Sequence, residues 1–213
     1  RRLLVLSSIL LLAVGCASGG GTAQPELVSR ADRYYLVSPL EGYPLSVGSD
    51  VRMQLDKSYR ELIEKGDQRG VDQTVAKLQD RNPDLAPTQV LQAQADFVSV
   101  LYTQVIDRLA PVVAQHPDYV AAQLLYGRSS ELVGDLVQSL EAFEKISSSS
   151  PLARSRALDL SPRVTDEMAS RIEDALGKGH AAEARKDLER LQTWAPDADK
   201  TLEMTARVAN VTG

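Results

Sequence analysis

The chain has 213 residues, of which 43% are hydrophobic and 5% aromatic, with a net charge of -5. That length allows a sizeable core in one or two domains, and the Ala-, Leu- and charge-rich, aromatic-poor composition favours helices over sheets. The acidic balance gives no sign of nucleic-acid binding, which usually shows a basic patch, and the single cysteine excludes an internal disulfide.

Arg1-Arg2 followed by the apolar run Leu3 to Val14 is too short to span a bilayer, which takes about 20 residues, and reads as a signal peptide over residues 1–15. The run ends Leu12-Ala13-Val14-Gly15-Cys16-Ala17. Small residues directly before a cysteine resemble the bacterial lipobox, with Ala13 in place of the commoner Leu. The resemblance implies cleavage before Cys16, a diacylglycerol thioether on its sulfur and an acylated amino group. Several acyl chains, at about 0.8 kcal/mol per buried CH2, anchor a protein stably where one chain is marginal. Ala17 rather than Asp after the cysteine implies sorting to the outer membrane, facing the periplasm. Residues 16–24, with Gly19-Gly20-Gly21, form the expected lipidated cysteine and flexible tether.

Residues 25–51 read as a short helix, from Glu26 to Val37, and an ordered loop broken at Pro39, Gly42, Pro44 and Gly48. Tyr34, Tyr35 and Tyr43 read as packing residues.

From residue 52 a period appears. Pro83, Pro117 and Pro151 are 34 apart, as are Pro162 and Pro196, and Gly66, Gly134 and Gly179 each precede one of these prolines by 17. A 34-residue helix-turn-helix unit with turn and terminator at fixed offsets resembles the tetratricopeptide repeat. Together with the lipobox, the chain resembles a bacterial tetratricopeptide-repeat lipoprotein. The resemblance implies an all-α fold, a right-handed α-solenoid of four repeats over 52–198 (52–85, 86–119, 120–153 and 165–198). Residues 199–213 form a C-terminal capping helix, with Leu202, Thr205 or Ala206, and Ala209 on one face. The third copy is the clearest, with Leu124, Leu125 and Leu132 on its first helix, small Gly127 on the same helix, and Leu136, Leu140, Phe143 and Ile146 at 3-4 spacing on its second. The second copy departs most. Val100 stands where the turn glycine belongs, and Pro111 falls inside a helix, predicting a kink or a broken helix that restarts at the proline. Residues 152–162 add eleven residues, about three helical turns, which lengthen a helix or make a small extra one.

The catalytic inventory is thin, and the chain does not read as an enzyme. His116 and His180 sit at a helix end and a turn, no paired metal-ligand spacing exists, and Gly177-Lys178-Gly179 lacks the spacing of a phosphate loop. No cofactor is expected. The resembled family works through a concave groove lined by the first helix of each repeat. Carried over, its positions are Met53, Asp56, Arg60 and Ile63; Val90, Gln94 and Phe97; Leu124, Arg128 and Glu131; Asp166, Ala169 and Glu173. Leu124 and Phe97 also suit the core. Asp56 with Arg60, and Leu124 with Arg128, do not match the Lys and Asn of the family's carboxylate clamp. A mixture of charged, amide and aromatic groups suits an extended peptide or a partner helix. The expected role is a membrane-anchored adaptor or scaffold in an envelope assembly, pilus or secretion machine. The alternative is a substrate-binding lipoprotein partnering a transporter.

Overall fold

The computed structural model describes residue 29 and residues 31–212; the expected signal peptide, Cys16, the tether and the start of the N-terminal helix lie outside them. The described residues form a short 3-10 helix, Asp32–Tyr35, and nine α-helices with no strand: α1 Ser49–Lys65, α2 Gln68–Gln79, α3 Ala86–Val98, α4 Tyr102–Gln115, α5 Val120–Leu132, α6 Leu136–Lys145, α7 Pro151–Gly177, α8 Ala181–Trp194 and α9 Asp199–Thr212. The fold is all-α.

Four of the connections close in the same way. Gly66, Val100, Gly134 and Gly179 take positive φ values of 67°, 63°, 92° and 76°. After three of them the next amide reaches back five residues: Leu101 to Asp96, Asp135 to Ser130, and His180 to Ala175. Asp67 reaches six residues back, to Glu61. These bonds satisfy carbonyls that a helix end leaves open. Asp67 and Asp135 then start the following helices, accepting at 2.9 Å from the amides of Gly70 and Gln138, the usual work of an N-cap aspartate.

Most helices turn one apolar stripe inward, whereas α3 and α5 are buried on most sides. Consecutive helices pack on one another throughout, and α1 also packs on α3, α3 on α5 and α7 on α9. The buried side chains fall into three clusters in chain order. Leu55, Leu62, Val71 and Leu78 meet Leu91 of α3. Val90 and Phe97 of α3 meet Leu109, Tyr119 and Leu125. Leu124 meets Phe143, Leu160, Met168, Ile172 and Leu188, ending at Met204 and Val208. Each fully buried Leu or Phe contributes about 1.5–3 kcal/mol relative to exposure. Gly127 lets α5 and α6 approach closely, because a Cβ there would stand 2.9 Å from the Phe143 ring.

Two local expectations are corrected, at residues 26–37 and in α9, and two that left alternatives open are narrowed, at Pro111 and residues 152–162. The helix expected from Glu26 to Val37 is, among the described residues, only the four-residue 3-10 turn, followed by irregular chain into Pro39; the residue before a proline disfavours helix. Pro111 does not break α4, which runs through it. Val105, Leu109, Val112 and Val113 are buried on its other side, while Pro111 and Asp107, the carbonyl that loses its donor, are exposed to water. Residues 152–162 build no separate element. They lengthen α7 to 27 residues, about 40 Å at 1.5 Å per residue, with Ala153, Ala157 and Leu160 continuing its buried stripe. Finally, α9 buries Thr201, Met204 and Val208 and leaves Leu202 57% exposed, because it lies against both α7 and α8.

Candidate functional site

The face on which α1, α3 and α5 were expected to form a groove carries a segment of the chain itself. Residues 32–41, here called the strap, cross all three helices and are held largely by their backbone. The Tyr59 hydroxyl of α1 donates to the Leu36 carbonyl at 2.6 Å. Gln94 Nε2 of α3 donates to the Val37 carbonyl at 2.6 Å. The Tyr119 hydroxyl, at the start of α5, donates to the Pro39 carbonyl, and the Ala121 amide donates to the Glu41 carbonyl at 3.0 Å. Burial pushes the Tyr59 hydroxyl above the usual phenol range. The Tyr119 hydroxyl is pushed far above it by burial and by Tyr43 beside it. Both therefore remain protonated donors at any physiological pH. Side chains add order: the Ser38 hydroxyl meets Asp56 Oδ1 at 3.4 Å, Tyr35 lies 6.0 Å from the Phe143 ring, and Leu36 enters the cluster around Phe97.

At its N-terminal end the strap joins an ion network with α5 and α7. Arg128 donates to Asp32 at 2.6 Å and to Glu131 at 2.7 Å. Its guanidinium lies 5.4 Å from the centre of the Tyr35 ring, within cation–π range. Arg156, from the added first half of α7, donates to both Glu131 oxygens, and Asp159 and Arg163 stand at its edge. Only 8% of the Glu131 side chain is exposed. Burial pushes its carboxyl up, yet the hydrogen bonds from Arg156 and Arg128 outweigh burial and hold it below the ordinary carboxylate range. Burial likewise works against the Arg128 charge, and Glu131 and Asp32 overcome it, raising its pKa. An open depression of about 270 Å³ adjoins the network, lined by Tyr34, Tyr35, Arg128, Leu152, Arg156 and Asp159 among others.

The residues expected at the groove divide by what covers them. Asp56, Gln94, Arg128 and Glu131 lie under or beside the strap. Phe97 is corrected to a core residue: it is 0% exposed, and its ring meets Tyr102 at 5.3 Å. Arg60 is exposed and donates to the Asp56 carbonyl of its own helix at 3.3 Å. Asp166 and Glu173 on α7 pair with Lys200, at 2.8 Å, and Arg207 of α9. Those last pairs are well exposed, and exposed pairs contribute about 0–1 kcal/mol each, so Met204 and Val208 hold α9 in place. Val90, Leu124 and Ala169 are buried, whereas Met53 is 65% exposed. The residues that the groove positions missed are Asp32, Tyr59, Tyr119 and Arg156. Their signal was indirect: Tyr35-Leu36-Val37 is apolar and runs into a proline, so it must be buried by something other than helical periodicity.

Among the described residues no group of three His, Cys, Asp or Glu can hold a metal ion, and no helix is long and apolar enough to cross a membrane. His116 stands edge-on to Tyr43 with ring centres 5.6 Å apart, and His180 lies 3.4 Å from Glu183 on the surface. No protein-family model matches the chain, and neither a curated protein nor a solved structure is significantly similar to it.

Proposed function

We propose that this chain is a lipid-anchored adaptor of the bacterial envelope, built as a right-handed solenoid of four tetratricopeptide-type repeats with α9 as its cap. It would hold a protein partner at the periplasmic face of the outer membrane. The observation that carries the repeat reading is the position of the left-handed turn residues. Gly66, Val100, Gly134 and Gly179 are 34, 34 and 45 residues apart, and the last interval contains the eleven residues that lengthen α7. The same backbone device thus recurs once per repeat even where the glycine is replaced. Contacts between near neighbours suit such an array. The anchor rests on the lipobox-like residues around Cys16, and the adaptor role on a fold with many side-chain donors on one helical face and no assembled catalytic group among the described residues.

Two measurements test the reading. Cys16→Ser should abolish incorporation of labelled fatty acid and move the protein from the membrane to the soluble fraction; unchanged fractionation excludes the anchor. A photo-crosslinker placed at residue 53 or 60, both exposed on α1, should give a discrete adduct with an envelope protein, while one at exposed residue 186 on α8 should not. Identical adduct patterns at all three sites, or none, exclude an adaptor working through this face.

A further inference from the structure

The way in which the strap is held shows what its seat can bind. Four of its carbonyls, at Leu36, Val37, Pro39 and Glu41, receive donors from α1, α3 and α5. Contacts to backbone carbonyls read the path of a chain, here a 3-10 turn at 32–35, an irregular run at 36–38 and a turn at 39–42, so the seat fits a segment that follows the same path. We propose that this face is a receptor for a segment of a partner protein that takes the turn–chain–turn path of the strap, and that the strap is its resident occupant, displaced when the partner binds. This rests on the adaptor reading above and names its ligand chemistry and its regulation.

Gln94 carries the inference furthest. It is 0% exposed in the middle of α3. One end of its amide donates to Val37, and the other, Oε1, is buried with no partner. A position that served only packing would do better with an apolar side chain, because a buried polar atom left unpaired is costly. An incoming chain that presents an N–H beside its carbonyl satisfies both ends of the amide. The strap satisfies one, so it is an imperfect ligand that a better one can replace.

The side-chain contacts define that better ligand. Arg128 takes a carboxylate, now that of Asp32. Three residues on, an aromatic stands against Phe143 and the Arg128 guanidinium, as Tyr35 does. An aliphatic follows, in the place of Leu36, and three residues later a proline requires no N–H acceptor. The partner segment therefore carries an acidic residue, an aromatic–aliphatic pair and a proline in the register of Asp32, Tyr35-Leu36 and Pro39. The open depression beside Arg128 gives it a point of entry, where its carboxylate competes with Asp32 before the strap lifts. On the other side, residues 44–46 connecting the strap to α1 are exposed, so release there uncovers little.

The test uses the whole chain and a fluorescent peptide with the sequence of residues 29–43, read by anisotropy. Asp32→Ala with Tyr35→Ala weakens the resident strap. This double variant should bind the peptide at least tenfold more tightly than the wild-type chain, because an occupied site lowers apparent affinity by its vacant fraction. Adding Gln94→Met should weaken binding at least tenfold while leaving helix content unchanged. Equal binding by wild type and double variant, or binding indifferent to Gln94, overturns the proposal. Should the double variant fail to fold, the wild-type chain still decides by hydrogen exchange. The Ala121 amide, whose acceptor is the strap's Glu41 carbonyl, should exchange at least a hundredfold faster than the Gln123 amide of the same first turn, whose acceptor is the Tyr119 carbonyl. Equal protection makes the strap permanent and overturns the idea. A concentration-dependent dimer abolished by Gln94→Met would make a second copy the occupant and overturn the partner assignment. The adaptor reading stands apart from these outcomes, since crosslinks at residues 53 and 60 survive a static strap.

Discussion

Glu131 stands between two guanidinium groups with most of its side chain removed from water, and its worth can be read through pH. Its folded-state pKa lies below the ordinary carboxylate value, the hydrogen bonds from Arg156 and Arg128 outweighing its burial. A group depressed in this way contributes stability that is fully present above its unfolded pKa and is lost as pH falls through the folded one. The raised pKa of Arg128 acts only at the alkaline extreme, so it leaves the acid side to Glu131. Removing one member of a buried ion cluster strands the others, at a cost of about 3 kcal/mol. Glu131→Gln should therefore lower stability by about that amount near neutral pH. The gap between wild type and variant should hold down to the ordinary carboxylate range and close below it. Urea unfolding of both proteins near neutral pH and again near pH 3 checks this, and a gap unchanged in acid would place the loss in packing rather than charge.

At the scale of elements, the turns explain both what was legible in the sequence and what was not. Gly66, Gly134 and Gly179 announced three of them, because glycine alone takes positive φ without strain. Val100 hid the fourth: the backbone conformation persists there with a β-branched residue in the left-handed region, at φ 63°. The neighbouring helices impose it, since α3 and α4 must still reverse to pack on each other. A left-handed residue with a Cβ costs about 1–2 kcal/mol, partly offset by the extra freedom glycine has in the unfolded chain. Val100→Gly should thus stabilise the protein by about 1 kcal/mol. Gly134→Val, where no neighbouring atom lies within 4 Å of the added Cβ, should destabilise it by about 1–2 kcal/mol through φ alone. Melting temperatures that move in opposite directions support the shared geometry, and shifts of the same sign refute it. The strap was the illegible element. Helical period located the apolar faces of α1, α3 and α5, but it said nothing about which non-periodic segment would cover them, and contacts 57 to 96 residues apart leave no local pattern.

Across the whole molecule, the three apolar clusters follow one another along the chain and share helices at their borders: α3 belongs to the first two and α5 to the last two. No single centre holds the fold, so a defect at one end should be felt by its neighbours and fade with distance. The strap opposes this independence, because it ties α1, α3 and α5 together through Tyr59, Gln94 and Tyr119. At its other end the strap also reaches α6 through Tyr35 on Phe143 and α7 through the Asp32–Arg128–Glu131–Arg156 network, so of the described helices only α8 and α9 lie beyond it, held by packing on α7 and on each other. Leu62 and Met204, each 1% exposed, lie at opposite ends of this arrangement, in α1 and α9. Truncation of either to alanine removes about 2–5 kcal/mol of packing. Hydrogen exchange under native conditions separates the consequences, because each amide reports the opening that exposes it. Met204→Ala should lower protection in α7, α8 and α9 and leave α1 and α3 unchanged. Leu62→Ala should lower protection in α1 through α5 together, since the strap transmits the loss, and leave α8 and α9 unchanged. Uniform loss along the chain in both variants would mean a single cooperative core. Loss confined to α1 and α2 in Leu62→Ala would mean that the strap carries no coupling.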